Sequence, residues 1–185
     1  RNNSFNVGVI LFKKSKLSSS NTPTPSVSMF LIFPKASIPL TFLKQPADIL
    51  LYHYSRGWDR GLELVKELQC RRVIKYHNIT PAKFFAGFND SEQEQCEIGR
   101  RQLVDLAAAQ CDLYLSDSAF NMQELIALGA GASNSFVVPP FHHIDRLSKI
   151  TADQETIRKY DHGIANVLYV GRVVPNKNLH HLIEV

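Results

Sequence analysis

Two basic residues beside a glycine, close to the carboxyl end of the sequence, could bind an anionic group. Arg172 and Gly171 follow the apolar run Val167–Val170, and Lys177 stands five residues after the arginine. A strand-end glycine lets a ligand approach the backbone, and guanidinium and ammonium groups bind phosphate oxygens. A helix beginning after Asn178 would add unpaired amides. The pattern predicts a diphosphate-binding site, with a strand-end glycine beside two solvated cations as the simpler alternative.

Two histidines occupy positions where an open α/β sheet binds ligands, at the carboxyl ends of expected strands. His77 begins the segment HNITP, in which Asn78 is expected to turn the chain, and His53 stands in the similar segment LYHYS. Ser116 ends a third expected strand, where capping of the next helix is a strong alternative to a role in a site. We predict a polar site around His77, while plain hydrogen-bonded histidines remain the alternative.

Three other patterns carry no prediction of a site. The segment Gly129–Ser133 (GAGAS) follows an expected helix instead of a strand, so it does not match a dinucleotide-binding loop. The histidine pairs His142–His143 and His180–His181 lack the spacing of zinc ligands, and no metal is expected. Three cysteines without CxxC spacing indicate reduced thiols in a cytoplasmic protein.

The composition is that of an ordinary globular protein. The 185 residues are 44% hydrophobic and carry a formal net charge of +4, which favours anionic partners such as nucleotide diphosphates or acidic lipid surfaces. The basic residues are scattered and lack interleaved aromatic residues, so nucleic acid is not expected as a partner. The longest apolar stretch, Met29–Leu43, is too short to span a bilayer and contains two prolines, which predicts a soluble protein.

From residue 48 onward, short apolar runs alternate with segments of helical periodicity. The predicted strands are Ile49–Tyr54, Val73–His77, Leu113–Ser116 and Phe136–Val138. The helices predicted between them are Trp58–Gln69, Ser91–Gln110 and Ala119–Leu128. This alternation predicts a doubly wound α/β domain of Rossmann-like type with a mostly parallel sheet.

The remaining segments differ from this domain. Residues 1–47 are unassigned and partly of low complexity, with one candidate strand at Asn6–Phe12 before a segment rich in Ser, Thr, Pro and Lys. Residues 141–165 read as a connector. Residues 166–185 read as a strand, Val167–Val170, followed by a helix from Leu179. Because one strand and one helix cannot bury their own faces, we expect residues 166–185 to begin a truncated second domain.

Several segments in fixed order resemble the retaining glycosyltransferases of family 4, the group-1 glycosyltransferase domain of the GT-B fold. The similarity is to bacterial enzymes that carry YHNITP, and it extends over roughly Asp48–Val185. The matching segments are DILLYHYS, KYHNITPAKFF, CDLYLSDSAFNMQEL, VVPP and NVLYVGRVVPNKNLHHLIEV.

The resemblance implies two Rossmann-like domains that face a cleft, with residues 48–140 in the acceptor-side domain and residues 166–185 beginning the donor-binding domain. Arg172 and Lys177 would hold the donor diphosphate without a metal, and Gly171 would let the donor approach. His77 would be the catalytic residue near the donor sugar. His53, Asn78 and Ser116 would lie on the acceptor side.

The implied reaction transfers a sugar, with retention, from a nucleotide-sugar to a saccharide or lipid-linked acceptor in polysaccharide biosynthesis. No cofactor is expected besides this donor, whose base the sequence leaves open. The implied location is cytoplasmic, with peripheral membrane association as an open alternative.

The sequence also departs from the family pattern. The glycine-rich loop near the family's N-terminus is not recognisable in residues 1–47, and the E-x7-E carboxylate pair would fall beyond Val185. Glu184 is not in the place of either member of that pair. We therefore expect a fragment that is inactive alone. The alternatives are a non-catalytic remnant that binds at most a nucleotide or a partner, and, less favoured, a GT-B sugar-nucleotide epimerase, which lacks YHNITP.

Overall fold

The structure is a computed structural model that describes residues 8–15, 26–32, 48–140 and 143–184. The chain divides into two units, Arg1–Pro139 and Pro140–Val185. The first contains a sheet covered by helices, and the second contains short helices joined by irregular segments.

The sheet of the first unit has six strands in the order β2-β1-β3-β4-β5-β6. The strands are β1 (Gly8–Ser15), β2 (Ser26–Ile32), β3 (Ile49–Tyr54), β4 (Arg71–Tyr76), β5 (Leu113–Ser116) and β6 (Ser135–Val137). The four strands from β3 to β6 are parallel, whereas β1 is antiparallel to both β2 and β3. The prediction of an α/β fold with a Rossmann-like parallel sheet is therefore confirmed.

The antiparallel hairpin of β1 and β2 was not predicted. The candidate strand Asn6–Phe12 lies partly outside the described residues, and β1 continues past it to Ser15. β2 begins at Ser26, at the end of the segment rich in Ser, Thr, Pro and Lys, and pairs along its whole length with β1. The hairpin places an antiparallel edge on a parallel sheet, an arrangement common among α/β folds.

The three helices of the first unit cover one face of the sheet. They are α1 (Asp59–Glu67), α2 (Asp90–Ala107) and α3 (Ala119–Ala127). Each connects one parallel strand to its immediate neighbour in the same direction, and right-handed crossovers that all run in one direction place their helices on the same face. Double winding needs a reversal of strand order by a further crossover. The described residues show no such reversal, so double winding stays a prediction.

The core lies between the helices and one face of the sheet. In β3 the residues alternate, with Leu50, Tyr52 and Tyr54 buried and their neighbours half-buried. Two of the buried phenol groups donate hydrogen bonds to helix α2: the hydroxyl of Tyr54 donates to the carbonyl of Gly99 at 2.5 Å, and that of Tyr114 donates to the carbonyl of Ala107 at 2.9 Å. Burial raises the pKa of both phenols, that of Tyr114 to about 12, so both are neutral donors at physiological pH.

A close approach of two backbones joins α2 to the loop after β3. A Cβ at Gly99 would lie 2.8 Å from the amide nitrogen of Gly57, and a Cβ at Gly57 would lie 2.9 Å from the amide nitrogen of Gly99. The next residue in the loop, Trp58, donates its backbone N–H to the side-chain oxygen of Gln102 at 2.9 Å. Glycine at both positions allows this contact, because neither backbone can retreat without breaking neighbouring hydrogen bonds.

The second unit contains α4 (Ile144–Leu147), α5 (Gln154–Tyr160) and α6 (Leu179–Glu184). The predicted strand Val167–Val170 is wrong: this segment has no regular structure, and the side chains of Val167, Leu168 and Val170 are 77%, 86% and 85% exposed. A strand needs a hydrogen-bonded neighbour, and the described part of this unit contains no other strand to pair with it.

No helix within the described ranges is long and apolar enough to cross a membrane.

The three cysteines give a direct test of this packing. Cys70, Cys96 and Cys111 are free thiols that are 7%, 7% and 2% exposed, and burial raises the pKa of each. Thiol reagents react with the thiolate, so both low access and a raised pKa slow the reaction. We expect labelling by a disulfide reagent to be at least about 100-fold slower in buffer than in concentrated urea. Labelling of any one thiol in buffer at the rate seen for the unfolded chain would contradict the burial of that cysteine.

Candidate functional site

Four polar side chains meet on the face of the sheet opposite α1, α2 and α3, at the carboxyl ends of β3, β4 and β5. His53 pairs in register with Lys75, and the backbone N–H of His77 continues the ladder to Tyr54 at 2.9 Å. Asp117 follows β5 directly. Since alternate residues of a strand share a face, the register brings together one group, which we term the histidine cluster: His53, Lys75, His77 and Asp117.

A chain of hydrogen bonds links the two imidazoles to the carboxylate. Nδ1 of His53 lies 2.8 Å from Nε2 of His77, and Nδ1 of His77 lies 3.0 Å from Oδ2 of Asp117. The two rings are 13° from parallel, with centroids 5.1 Å apart. Each distance is that of a normal hydrogen bond, so both imidazoles are held in fixed orientations.

A buried ion pair holds Asp117, the carboxylate at the end of this series of hydrogen bonds, in place. Nζ of Lys75 lies 2.6 Å from Oδ1 of Asp117, and it also donates to the carbonyl of Val138. The residue Lys75 is 7% exposed. Burial by itself raises the pKa of Asp117, but the hydrogen bonds from Lys75 and His77 outweigh burial and hold the pKa below its usual value. Asp117 is therefore a carboxylate at neutral pH.

The pKa of His53 is lowered, first by burial and then by the nearby His77 and Lys75, while Asp117 partly opposes the shift. A lowered pKa means that His53 is a neutral imidazole at physiological pH, able to donate through one nitrogen and accept through the other. The site thus combines a fixed carboxylate, a buried cation and a neutral imidazole.

Asn78 forms the turn that leads the chain away from His77, as predicted. Its backbone is left-handed, with φ of 69°, a conformation that asparagine tolerates better than most residues. Its side-chain oxygen accepts the backbone N–H of Ile79 at 2.7 Å and the hydroxyl of Tyr76 at 3.3 Å. Asn78 therefore shapes the loop beside the histidine cluster.

Ser116 is not brought to the cluster. It pairs with Tyr76 on the helix-covered face and is fully buried, so Asp117, one residue later, occupies the place where the sequence analysis put the serine. Side chains alternate along a strand, and a shift of one residue changes the face.

A second polar network holds the helices against the same strand end. Glu124 of α3 accepts the hydroxyl of Tyr76 at 2.5 Å, and its other oxygen pairs with Arg100 of α2. Burial and this hydrogen bond raise the pKa of Tyr76. The network joins both helices to the end of β4. His77 is the next residue along the chain, and its side chain lies on the opposite face of the sheet.

The predicted diphosphate-binding residues Gly171, Arg172 and Lys177 belong to the second unit, where all three are exposed. The backbone carbonyl of Arg172 accepts the hydroxyl of Tyr169 at 2.8 Å. Lys177 ends a short 3-10 turn that starts at Pro175. Asn178 has a left-handed φ of 50°, instead of the extended backbone typical of a helix cap.

Among the described parts of the chain, no group of three or more His, Cys, Asp or Glu side chains has an arrangement that could hold a metal ion. Comparison with known proteins gives no family model, no curated protein and no solved structure that matches this chain.

Proposed function

We propose that the chain is part of a retaining glycosyltransferase of the GT-B fold, which transfers a sugar from a nucleotide-sugar to a saccharide or lipid-linked acceptor. The observation that carries the proposal is the histidine cluster: His77 stands at the carboxyl edge of a parallel sheet and is oriented by the Asp117 carboxylate at 3.0 Å. Ligands of open α/β sheets bind at this edge.

The chemistry of the cluster suits a carbohydrate. Sugar hydroxyls both donate and accept hydrogen bonds, and a neutral imidazole offers one donor and one acceptor. The buried Lys75–Asp117 pair keeps the imidazoles in place, so a ligand need not order them when it binds. The segments that carry the sequence resemblance support the same function, since His77 belongs to the segment YHNITP.

The donor diphosphate is assigned to Arg172 and Lys177. Transfer of the sugar leaves negative charge on the diphosphate, and two cations beside a glycine would stabilise that charge without a metal. In this proposal His77 contacts the sugar and Arg172 contacts the diphosphate, and the two residues therefore affect binding differently.

This difference defines the test, a calorimetric titration of the chain with UDP-, GDP- and ADP-sugars and with the corresponding nucleoside diphosphates. We expect Arg172→Ala to weaken both kinds of ligand by about tenfold or more, because a charge-assisted hydrogen bond is lost. His77→Ala should weaken the binding of the nucleotide-sugars only and leave the binding of the nucleoside diphosphates unchanged. The exposed Lys66, which pairs with Asp105, provides the control Lys66→Ala, with unchanged binding. The absence of binding by every sugar nucleotide, or equal loss of both ligands in His77→Ala, would contradict the proposal.

A second candidate function is binding without catalysis, to a nucleotide or a protein partner. The exposure of Val167, Leu168 and Val170 favours it, because these apolar side chains do not pack into a core within the described part of the second unit. The same titrations distinguish the two functions when combined with a transfer assay. Binding of sugar nucleotides by the complete protein without consumption of the donor supports this second candidate.

A further inference from the structure

We propose that Nε2 of His53 is the atom of the histidine cluster that hydrogen-bonds to a ligand, and that the group it binds is an uncharged sugar hydroxyl. The choice of a sugar rests on the proposed function, whereas the choice of the atom rests on the contacts within the cluster. Every other polar side-chain atom of the four residues has a hydrogen-bond or ion-pair partner among the described residues.

Both ring nitrogens of His77 are already engaged. Nδ1 lies 3.0 Å from Oδ2 of Asp117, and Nε2 lies 2.8 Å from Nδ1 of His53. A ligand that hydrogen-bonded to either nitrogen would have to displace one of these partners. The contact of His77 with the sugar that the proposed function requires is therefore left to its ring carbons. For hydrogen bonding to the ligand, His77 is a positioning residue that holds His53.

The charged members of the cluster are engaged with each other. Nζ of Lys75 lies 2.6 Å from Oδ1 of Asp117 and also donates to the carbonyl of Val138, and the lysine residue is 7% exposed. An anionic ligand such as a phosphate needs an accessible cation, and a buried ammonium group paired with a carboxylate does not supply one. The cluster therefore favours an uncharged ligand group.

Nε2 of His53 differs from these atoms. His53 is half-buried, and the one hydrogen bond that its side chain makes to the described part of the chain uses the other ring nitrogen. Nε2 is not one of the fully buried polar atoms without a partner, a group that includes Oγ of Ser116. Within the described ranges, this nitrogen is therefore both open to solvent and available to a ligand.

The chemistry of this nitrogen suits a hydroxyl group. The pKa of His53 is lowered, first by burial and then by His77 and Lys75, while Asp117 only partly opposes the shift, so the ring is neutral at physiological pH. Nε2 of a neutral imidazole either donates or accepts one hydrogen bond, depending on the tautomer. A sugar hydroxyl can do both, so the contact forms with either tautomer of His53.

The ring of His53 is held in place before a ligand binds. Its plane lies 13° from that of His77, to which it is joined by the contact of 2.8 Å, and Asp117 holds His77 in turn. A side chain that is already ordered loses little conformational entropy on binding. We therefore expect the hydrogen bond at Nε2 to contribute to affinity and to discriminate against sugars that lack the matching hydroxyl.

Nitrogen NMR of the histidine rings locates the contact in the wild-type chain. The sequence has seven histidines, and the signal missing from His53→Asn or His53→Gln identifies His53. We expect the Nε2 signal to shift with UDP-, GDP- or ADP-sugars if the hydroxyl belongs to the donor. It should shift with methyl glycosides of glucose, galactose or mannose if the hydroxyl belongs to the acceptor. A shift with inorganic phosphate, or no shift with any of these sugars, would overturn the proposal.

Two substitutions at His53 separate ligand binding from contact with His77. The amide of asparagine reaches the position of Nδ1, and the amide of the longer glutamine reaches the position of Nε2; both donate and accept hydrogen bonds. For the sugar that shifts the signal, we expect His53→Asn to weaken binding by about threefold to tenfold, the effect of one neutral hydrogen bond. His53→Gln should retain more of the affinity. An Asn variant that binds at least as tightly as the Gln variant would show that His53 only supports His77.

The outcomes distinguish this inference from the proposed function. If sugar nucleotides bind but the Nε2 signal of His53 stays unchanged with every sugar, the proposed function stands and the assignment of His53 fails. If no sugar nucleotide binds but a methyl glycoside shifts the signal, the proposed function fails and His53 remains the residue that binds a sugar hydroxyl.

Discussion

Replacement of Lys75 by methionine is expected to lower the free energy of unfolding by about 3–5 kcal/mol, the usual cost of removing one partner of a buried ion pair. The change leaves the Asp117 carboxylate, whose side chain is 20% exposed, without its cation and leaves the carbonyl of Val138 without its donor. Methionine keeps most of the volume of lysine, so the loss reports the charge and not a cavity. Urea unfolding followed by circular dichroism measures it through the transition midpoint.

The pH dependence of this effect has a defined sign. Because the pKa of Asp117 lies below its usual value in the folded protein, its ionisation stabilises the fold above the pKa of the unfolded state, and that stability is lost as the pH falls through the folded pKa. The cost of Lys75→Met should therefore be largest near neutral pH and smaller in acid, once the pH falls below the lowered pKa of Asp117 and the carboxyl is protonated in both proteins.

Lys66 provides the matched control. It pairs with Asp105 at 3.1 Å, but both side chains are more than half exposed, at 52% and 54%. Lys66→Met should change the free energy of unfolding by less than about 1 kcal/mol. The double variant Lys75→Met/Asp117→Leu should recover part of the loss, since no buried charge remains unpaired. Equal effects of the two lysine variants would refute the burial of the pair.

Gly99→Ala is expected to destabilise the protein by about 1 kcal/mol net, opposite in sign to the usual effect of this substitution within a helix. Alanine normally favours a helix over glycine by about 1 kcal/mol. At Gly99, however, the added Cβ would lie 2.8 Å from the backbone nitrogen of Gly57, and overpacking of this kind costs about 1–3 kcal/mol. The same unfolding measurement applies.

The control for this variant is Glu94→Ala, in the same helix α2 but on its exposed side. It should change the free energy of unfolding by no more than about 0.5 kcal/mol. A stabilised Gly99→Ala protein would show that the loop at Gly57 can move away from α2 at little cost. It would also remove the reason for glycine at both positions.

The helices and parallel strands from Ile49 to Val137 could be predicted because each has a local pattern of apolar residues. The hairpin of β1 and β2 could not, since the pairing of two strands depends on contacts that lie outside either segment. The strand predicted at Val167–Val170 shows the reverse: the segment is apolar enough, but no neighbouring strand lies in the described part of its unit. A local apolar pattern indicates that a segment can form a strand, but the presence of a neighbouring strand decides whether it does.

The histidine cluster, too, could be predicted from the sequence only where the local pattern was enough. His53 and His77 could be proposed from their positions at strand ends, whereas Lys75 and Asp117 were missed. A charged residue inside the apolar strand segment VIKY was a signal for Lys75, because such a residue needs a buried partner. Its partner, Asp117, depends on the register between β4 and β5, which no local pattern gives. Ser116 was predicted instead, one residue away and on the other face.

The one-directional order of the parallel strands has a consequence for synthesis of the chain on the ribosome. Each strand from β4 to β6 pairs with the strand that precedes it in the chain, and β3 pairs with β1, which already has β2 as its other partner. The sheet can therefore grow in one direction as the chain emerges, so that no early strand waits for a late one to arrive beside it. Closure of such neighbouring units is fast compared with long-range pairing, which shortens the time during which an unpaired apolar strand is exposed to aggregation.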